Sequence, residues 1–462
     1  MDVAARNPVA RSFEGNIRQR RVTAKRVEPA ARWTVMGVIL LAAAQATLDL
    51  RGLYGDGAYY FWSELQAHGF YFYPSRVVAQ FVTQLPVVTA MNFGVSDVSV
   101  LARLQSFGVA AIPMIMWVLA FYVLRRSWMF WPFVAMFAVT FLNSGFLSIG
   151  EYNFAYALVA LCAAIMLVGT FGRWGLLGLV AASAMLPFSY ESLAHLGPLL
   201  SVLVLIRLRG AFKSDLRDRL KITALFIALA MYVAATIISV VWIVFPRDAT
   251  NLAGAADFSW PLFNDRQLVL SGALATVYIL AACFGGPRIR RWAAIPLGLL
   301  SLILIDHAFW DEPWKAFGSR AVTGVALFVL LAVIVIGRLR EERRARRGVV
   351  DERLPSWSWL PAILLLAVQL VPMTVHTAGW SGWLSQFKYV VDTSSGTHTN
   401  EETVLRFSNT SLYVWPWTNP FLSVDLASHN GAAIILSPNL KPGDQQIPAE
   451  LPARYEKFAT LF

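Results

Sequence analysis

Two cysteines in 462 residues, Cys162 and Cys283, both inside apolar runs, leave no material for a disulfide framework or a structural zinc site. Charge is also scarce. Asp, Glu, Lys and Arg make up 15% of the chain, against about a quarter in a soluble domain. That shortage excludes an ordinary soluble enzyme and a disordered chain alike. The six histidines form no HExxH or comparable spacing, so no histidine metal site is expected. No Walker A motif occurs, which excludes ATP-driven transport by this chain alone. No convincing internal repeat is present.

What is abundant is apolar surface. Hydrophobic residues account for 57% of the chain, with 30 Phe and 17 Trp among them, a composition typical of polytopic membrane proteins. Apolar runs fall at 33–50, 98–123, 128–148, 153–171, 174–188, 193–206, 222–245, 267–286, 292–307, 318–337 and 357–377. They predict an all-α membrane protein of about eleven spans. A basic tail, 1–32, precedes the first run. Ala44-Gln45-Ala46 has the look of a signal-peptidase site, but so long a basic region marks an uncleaved first span.

The net charge of +11 would suggest nucleic acid in a soluble protein; here it reads as cytoplasmic loop charge, and no nucleic-acid partner is expected. The segments 1–32, 124–127, 172–173, 207–221, 287–291 and 338–356 hold 27 of the 39 Lys+Arg and net +18, while the remainder nets −7. Alternation along eleven spans predicts a plasma-membrane protein with its N-terminus cytoplasmic and its C-terminus outside.

That parity makes a demand on 49–97. The stretch 76–93 is apolar enough to span, but counting it would reverse every later basic cluster. The whole segment is therefore expected as an external loop with two helices, about 57–69 and 75–93, lying on the membrane surface. The runs at 174–188 and 193–206 are each too short for a hydrocarbon core of about 30 Å. They are expected as two short helices around a sunken polar turn, which calls for a wet cavity. From 378 to 462 the chain turns polar and alternating, as in 403–407 and 432–436. A small extracytoplasmic α/β appendage is expected there, with the aromatic segment 413–420 as a packing plug or a ligand-binding loop.

Acids beside or within a membrane are costly and usually functional. The external candidates are Asp49, Asp56, Glu64, Asp97, Glu151, Glu191, Asp306, Asp311 and Glu312. Asp56, between Gly55 and Gly57 and just ahead of a helix, is either an N-cap carboxylate or a catalytic group. Glu151 and Glu191, at later outer turns, are either solvated loop acids or part of one converging site with Asp56. Arg103, Lys315 and Arg320 are external cations that could neutralise a phosphate or snorkel to headgroups.

The order of these features over about 33–210 resembles the GT-C superfamily of polyprenyl-phosphate-dependent membrane glycosyltransferases. A first span leads to Gly55-Asp56-Gly57-Ala58-Tyr59-Tyr60, then an aromatic and proline stretch with a second surface helix. Phe93-Gly94 through Arg103-Leu104 and Ser106 is similar to the opening of the second span in the ArnT/PMT-like branch. Glu151 stands where that branch has a span-opening acid. The turn 190–198 offers Glu191 and His195 where a lysine is common, and Gly-Asp-Gly replaces the usual Asp-Glu pair. The resemblance implies Asp56 as catalytic base, with Glu151, Glu191, His195, Arg103, Lys315 and Arg320 binding substrate. It also implies membrane lipid and a polyprenyl-phosphate-linked sugar as partners. No cofactor is required, and nothing in the sequence speaks to an assisting divalent metal. Two other readings compete: a flippase of lipid-linked sugars, which would favour related halves and mid-membrane charges, and a non-catalytic subunit of an envelope assembly.

Overall fold

A computed structural model describes residues 8–142, 151–168, 172–213, 219–245, 266–286, 289, 293, 296–300, 313–346, 359–394, 396–399, 413, 418–436 and 447–458. For 8–27, 210–213, 266–268, 313–322, 345–346 and 397–399 this covers the backbone alone. The expected strand 403–407, the acids Asp306, Asp311 and Glu312, and the side chains of Lys315 and Arg320 lie outside the described residues.

The chain is an all-α membrane protein. Helix α1 (Pro8–Leu48) carries the basic tail and the first apolar run as one helix, with Pro29 inside it. The first loop holds α2 (Asp56–Ala67) and α3 (Val77–Asn92), close to the expected surface helices. Then come α4 (Val98–Ser106), a π-helical turn (Phe107–Ala111) and α5 (Ile112–Leu124), which together make one apolar helix. They are followed by α6 (Phe130–Phe137), α7 (Glu151–Val168), α8 (Arg173–Ala184), α9 (Leu193–Lys213) and α10 (Arg219–Val244). The membrane domain continues with α11 (Arg266–Phe284), α12 (Pro313–Arg346) and α13 (Leu360–Thr393).

Six helical stretches among the described residues are long and apolar enough to cross a membrane: Glu28–Leu48, Val98–Leu124, Glu151–Val168, Arg219–Val244, Thr323–Arg344 and Leu360–Thr393. Of the other runs, α8 has 12 residues, about 18 Å of helix at 1.5 Å per residue. Helix α9 has 21 residues and outlasts its apolar run. In its extension, Arg207 donates to Met166 O (2.7 Å) and Leu167 O (3.0 Å) at the end of α7 and to Glu342 (2.8 Å).

The bundle has two unlike ends. At one, the basic segments touch. Arg32 donates to Arg125 O and pairs with Glu28, Trp128 donates to Glu341 at 2.8 Å, and Arg207 pairs with Glu342. The first loop and the C-terminal residues occupy the other end. Helix α13 runs sixteen residues past Thr377, where a change of character was expected. Its extension keeps a helical period of buried residues: Trp380, Trp383, Leu384, Phe387 and Val391. Helix α14 (Asn419–Leu426) then packs on α2. Strands β1 (Thr397–Thr399) and β2 (Ile434–Leu436) form one parallel pair.

The last described segment straps back onto the first loop. Trp62 donates to Ala449 O (3.0 Å), His68 bonds the Tyr455 hydroxyl (2.7 Å) and Glu456 N donates to Ser96 O (3.0 Å). Lys388 fastens it to α13, donating to Asp392 (2.8 Å), Leu426 O (2.8 Å) and Phe458 O (3.0 Å).

Candidate functional site

The two glycines around Asp56 have separate structural reasons. Gly55 sits at φ +59°, where a side chain is strained. At Gly57 a Cβ would lie 1.8 Å from Gly52 O, so the start of α2 presses against the 3₁₀ turn Arg51–Leu53. Gly55 is the N-cap and Asp56 is the first helical residue. The expectation of an N-cap carboxylate is therefore corrected, although a charge there still complements the helix dipole.

Helix α3 is apolar on its outer face and mixed on its inner one. Gln80, Thr83 and Gln84 are buried beside Ala79, Val87, Val88 and Met91, while Phe81 (43% exposed) and Leu85 (42%), with Phe93 (84%) just past the helix, face outward. In a soluble protein the outer face would be polar; an apolar outer face suits lipid. The inner glutamines do two jobs. Gln84 receives a hydrogen bond from Tyr71 N (2.9 Å) and donates to Tyr71 O (2.8 Å), splinting the extended aromatic stretch before the helix. Gln80 accepts from Tyr73 N and donates to Glu151 Oε1 at 2.9 Å.

Glu151 and Glu191, forty residues apart, meet on one guanidinium at the head of α3. Arg76 Nη1 lies 3.3 Å from Glu151 Oε2, and Nε lies 3.2 Å from Glu191 Oε1. Ser75 adds a 2.7 Å hydrogen bond to Glu191, and Val78 N donates to Phe188 O, joining α3 to the turn between α8 and α9. The guanidinium lies over the rings of Tyr73 (5.4 Å) and Tyr190 (5.1 Å). The charges of Glu151 and Asp56 both bear on the Tyr60 hydroxyl. Three acids and one arginine thus share one locality, with surplus negative charge.

Burial would raise the Glu191 carboxyl, but the Arg76 cation and the Ser75 hydroxyl outweigh it and hold it below the usual range. Burial would lower Arg76, and the two glutamates raise it instead. For Tyr60, burial, Glu151 and Asp56 all push the hydroxyl upward. On the other flank of the α7 N-terminus lies buried Arg51, under the Tyr54 ring at 5.3 Å and within electrostatic reach of Tyr152. Burial lowers it to about 10.

The remaining expected residues lie elsewhere. Arg103 is on α4, its charge bearing on Asp97, whose carboxylate caps that helix through Ser99 N (2.8 Å). His195 packs against Phe328 on α12 with its rings 6.0 Å apart, away from the Arg76 contacts. Asp49 follows α1 and sits near Arg51. Of the aromatic segment 413–420, Tyr413 is buried near Trp380, with ring centroids 6.5 Å apart. Among the described residues, no three His, Cys, Asp or Glu side chains form a group that could hold a metal. Arg76 escaped the sequence reading, yet it had a signal. It is the one Asp, Glu, Lys or Arg between Glu64 and Asp97, and a lone charge in such a stretch needs a buried partner.

Comparison with known protein families, curated proteins and solved structures returns no significant match.

Proposed function

We propose that this chain is a membrane glycosyltransferase. It takes a sugar from a polyprenyl-phosphate donor and passes it to a cell-envelope acceptor at the outer face of the plasma membrane. The observation that carries the reading is the position of the acids. Asp56 of the first loop and Glu151 both bear electrostatically on Tyr60, and Glu151 shares Arg76 with Glu191, at a polar site behind a short helix whose far side is apolar. A lipid-tailed donor and a hydrophilic acceptor can both reach such a site.

In this reaction the acceptor oxygen bonds to the anomeric carbon with inversion as the bond from that carbon to the phosphate oxygen breaks. The phosphate leaves with the electron pair, and Asp56 takes the acceptor proton. Arg51 is a buried cation within electrostatic reach of Tyr152 and not shared by the two glutamates, and would stabilise the charge on the leaving phosphate. Arg76, already shared by two glutamates, sets the position of the acids. The orientation has its own support. Basic segments that charge parity assigns to the cytoplasm contact one another at one end of the bundle, and the first loop lies at the other.

The test is sugar release in proteoliposomes from a panel of radiolabelled polyprenyl-phosphate hexoses and pentoses. Asp56→Asn should lower the rate by about 10²-fold or more with unchanged expression and thermal stability. Equal rates in the wild type and Asp56→Asn, or no release from any donor, would remove the assignment.

A further inference from the structure

A second group of buried acids takes no part in the site above. Glu64 on α2 and Asp425 on α14 are both fully buried, as is Gln105 on α4. The three come together where the C-terminal helix crosses the first loop. Phe421 seats its ring against Tyr59 (4.9 Å between centroids) and Trp62 (5.1 Å) of α2. Asp425, four residues further along, lies on the same face of α14. The Glu64 charge bears on Asp425 directly. Gln105 Nε2 donates to Glu64 Oε1 at 3.3 Å.

Four oxygens in this group have no hydrogen-bond partner: Glu64 Oε2, Gln105 Oε1 and both carboxylate oxygens of Asp425. Because the Gln105 nitrogen faces a carboxylate, its unpartnered atom is the oxygen. An unsatisfied buried acceptor costs roughly 1–3 kcal/mol, and more when it is charged. Among the described residues, neither acid is paired with a Lys, Arg or His. Two carboxylates without a counter-charge in a dry interior demand one.

We propose that Glu64, Gln105 and Asp425 form a binding site for a hard divalent cation of the calcium class, which pins the C-terminal helix to the first loop. The donors are all oxygen, from two carboxylates and one amide carbonyl, with no nitrogen or sulfur; that set selects calcium over transition metals. Two carboxylates supply the charge that a divalent ion neutralises. A fully buried cage disfavours magnesium, which gives up its waters reluctantly. Burial pushes both carboxyls well above the usual carboxylate range when no ion is bound. A proton on each acid is therefore the competing way to remove the charge.

The experiment uses the full-length protein in detergent, stripped with a chelator and titrated with Ca²⁺, with Tb³⁺ luminescence sensitised by Trp62 as a second probe. The wild type should bind one equivalent and its unfolding midpoint should rise by several degrees. Glu64→Gln and Asp425→Asn should each abolish both effects, and Asp56→Asn should leave them intact. Gln105→Leu, which removes a single neutral donor, should weaken binding at least tenfold and serves if the acid variants do not fold. Three results would overturn the proposal: no Ca²⁺ or Tb³⁺ binding by the wild type, binding that survives these substitutions, or binding lost with Asp56→Asn. A wild type indifferent to Ca²⁺, together with acid variants more stable than it at any calcium level, would instead mark a protonated acid pair.

Discussion

The two ends of the helical bundle enclose their charges to different depths. At the basic end, arginines meet glutamates on α12 and loop carbonyls in partly exposed pairs, as in Arg338 with Glu341 and Glu342. At the first-loop end, one arginine again serves two glutamates, but Arg76 is more enclosed than Arg338, and Glu151 is the most deeply buried acid of the four. Pairs open to water contribute little, because solvent screening and side-chain entropy offset their attraction. A buried charge that loses its partner has no such cushion. The contrast marks the first-loop end as the place where polar groups persist against their cost, as expected of a working site.

The sharpest way to break this comparison is to remove one arginine at each end. Arg76→Ala strands Glu151 and Glu191 and should cost about 3–5 kcal/mol, read as a large drop in unfolding midpoint or in recovered protein. Arg338→Ala removes a less enclosed cation from glutamates that keep about a quarter of their exposure, so it should cost less, about 1–2 kcal/mol. Equal losses would show that both ends are merely structural.

Next in size is Gly57→Ala. Its methyl carbon would sit 1.8 Å from Gly52 O, a backbone atom with no freedom to swing away. Overpacking of this kind costs about 1–3 kcal/mol, and here the displaced element also carries Asp56. Thermal unfolding and sugar release should fall together. Gly55→Ala, where only the positive φ is at stake, should cost about 1–2 kcal/mol.

Acid sharpens the comparison further. The Glu191 carboxyl is held below its ordinary value of 4.5, so its contribution is complete above that pH and is lost as pH falls through the lowered value. Unfolding midpoints of the wild type should decline below about 4.5. Glu191→Gln should flatten that part of the profile while lowering stability at neutral pH. A variant whose acid limb matches that of the wild type would remove Glu191 from the account.

Much of this end was legible in the sequence, for a physical reason. Charge parity called for 49–97 as one loop carrying two helices, and α2 and α3 lie near the bounds expected for them. Glu151 and Glu191 stood out because acids beside apolar runs need a cause. Other features had weaker signals. Arg76 was overlooked because its importance lies in two partners supplied by distant helices. Nothing local to Glu64 or Asp425 discloses that they share an interior; the packing of α14 on α2 decides it. At 377 the drop in hydropathy suggested an end to the helix, but backbone hydrogen bonding does not stop where lipid does. The buried positions from Trp380 to Val391 continue the helical spacing through that boundary.

The smallest expected effect tests the apolar outer face of α3, on which the lipid-facing site depends. Phe81 and Gln84 lie three residues apart on α3, one exposed and apolar, the other buried and polar. Phe81→Ser removes a side chain that packs mainly against detergent or lipid, although its ring also lies 5.0 Å from that of Phe70. In detergent it should change stability by about 0.5 kcal/mol or less. Gln84→Leu would satisfy an ordinary hydrophobicity rule at a buried position, yet it leaves Tyr71 N and O without their partners. Each lost partner costs about 1–3 kcal/mol. If the leucine proves harmless and the serine severe, α3 is an ordinary core helix, and the polar site has no route to a lipid-borne substrate.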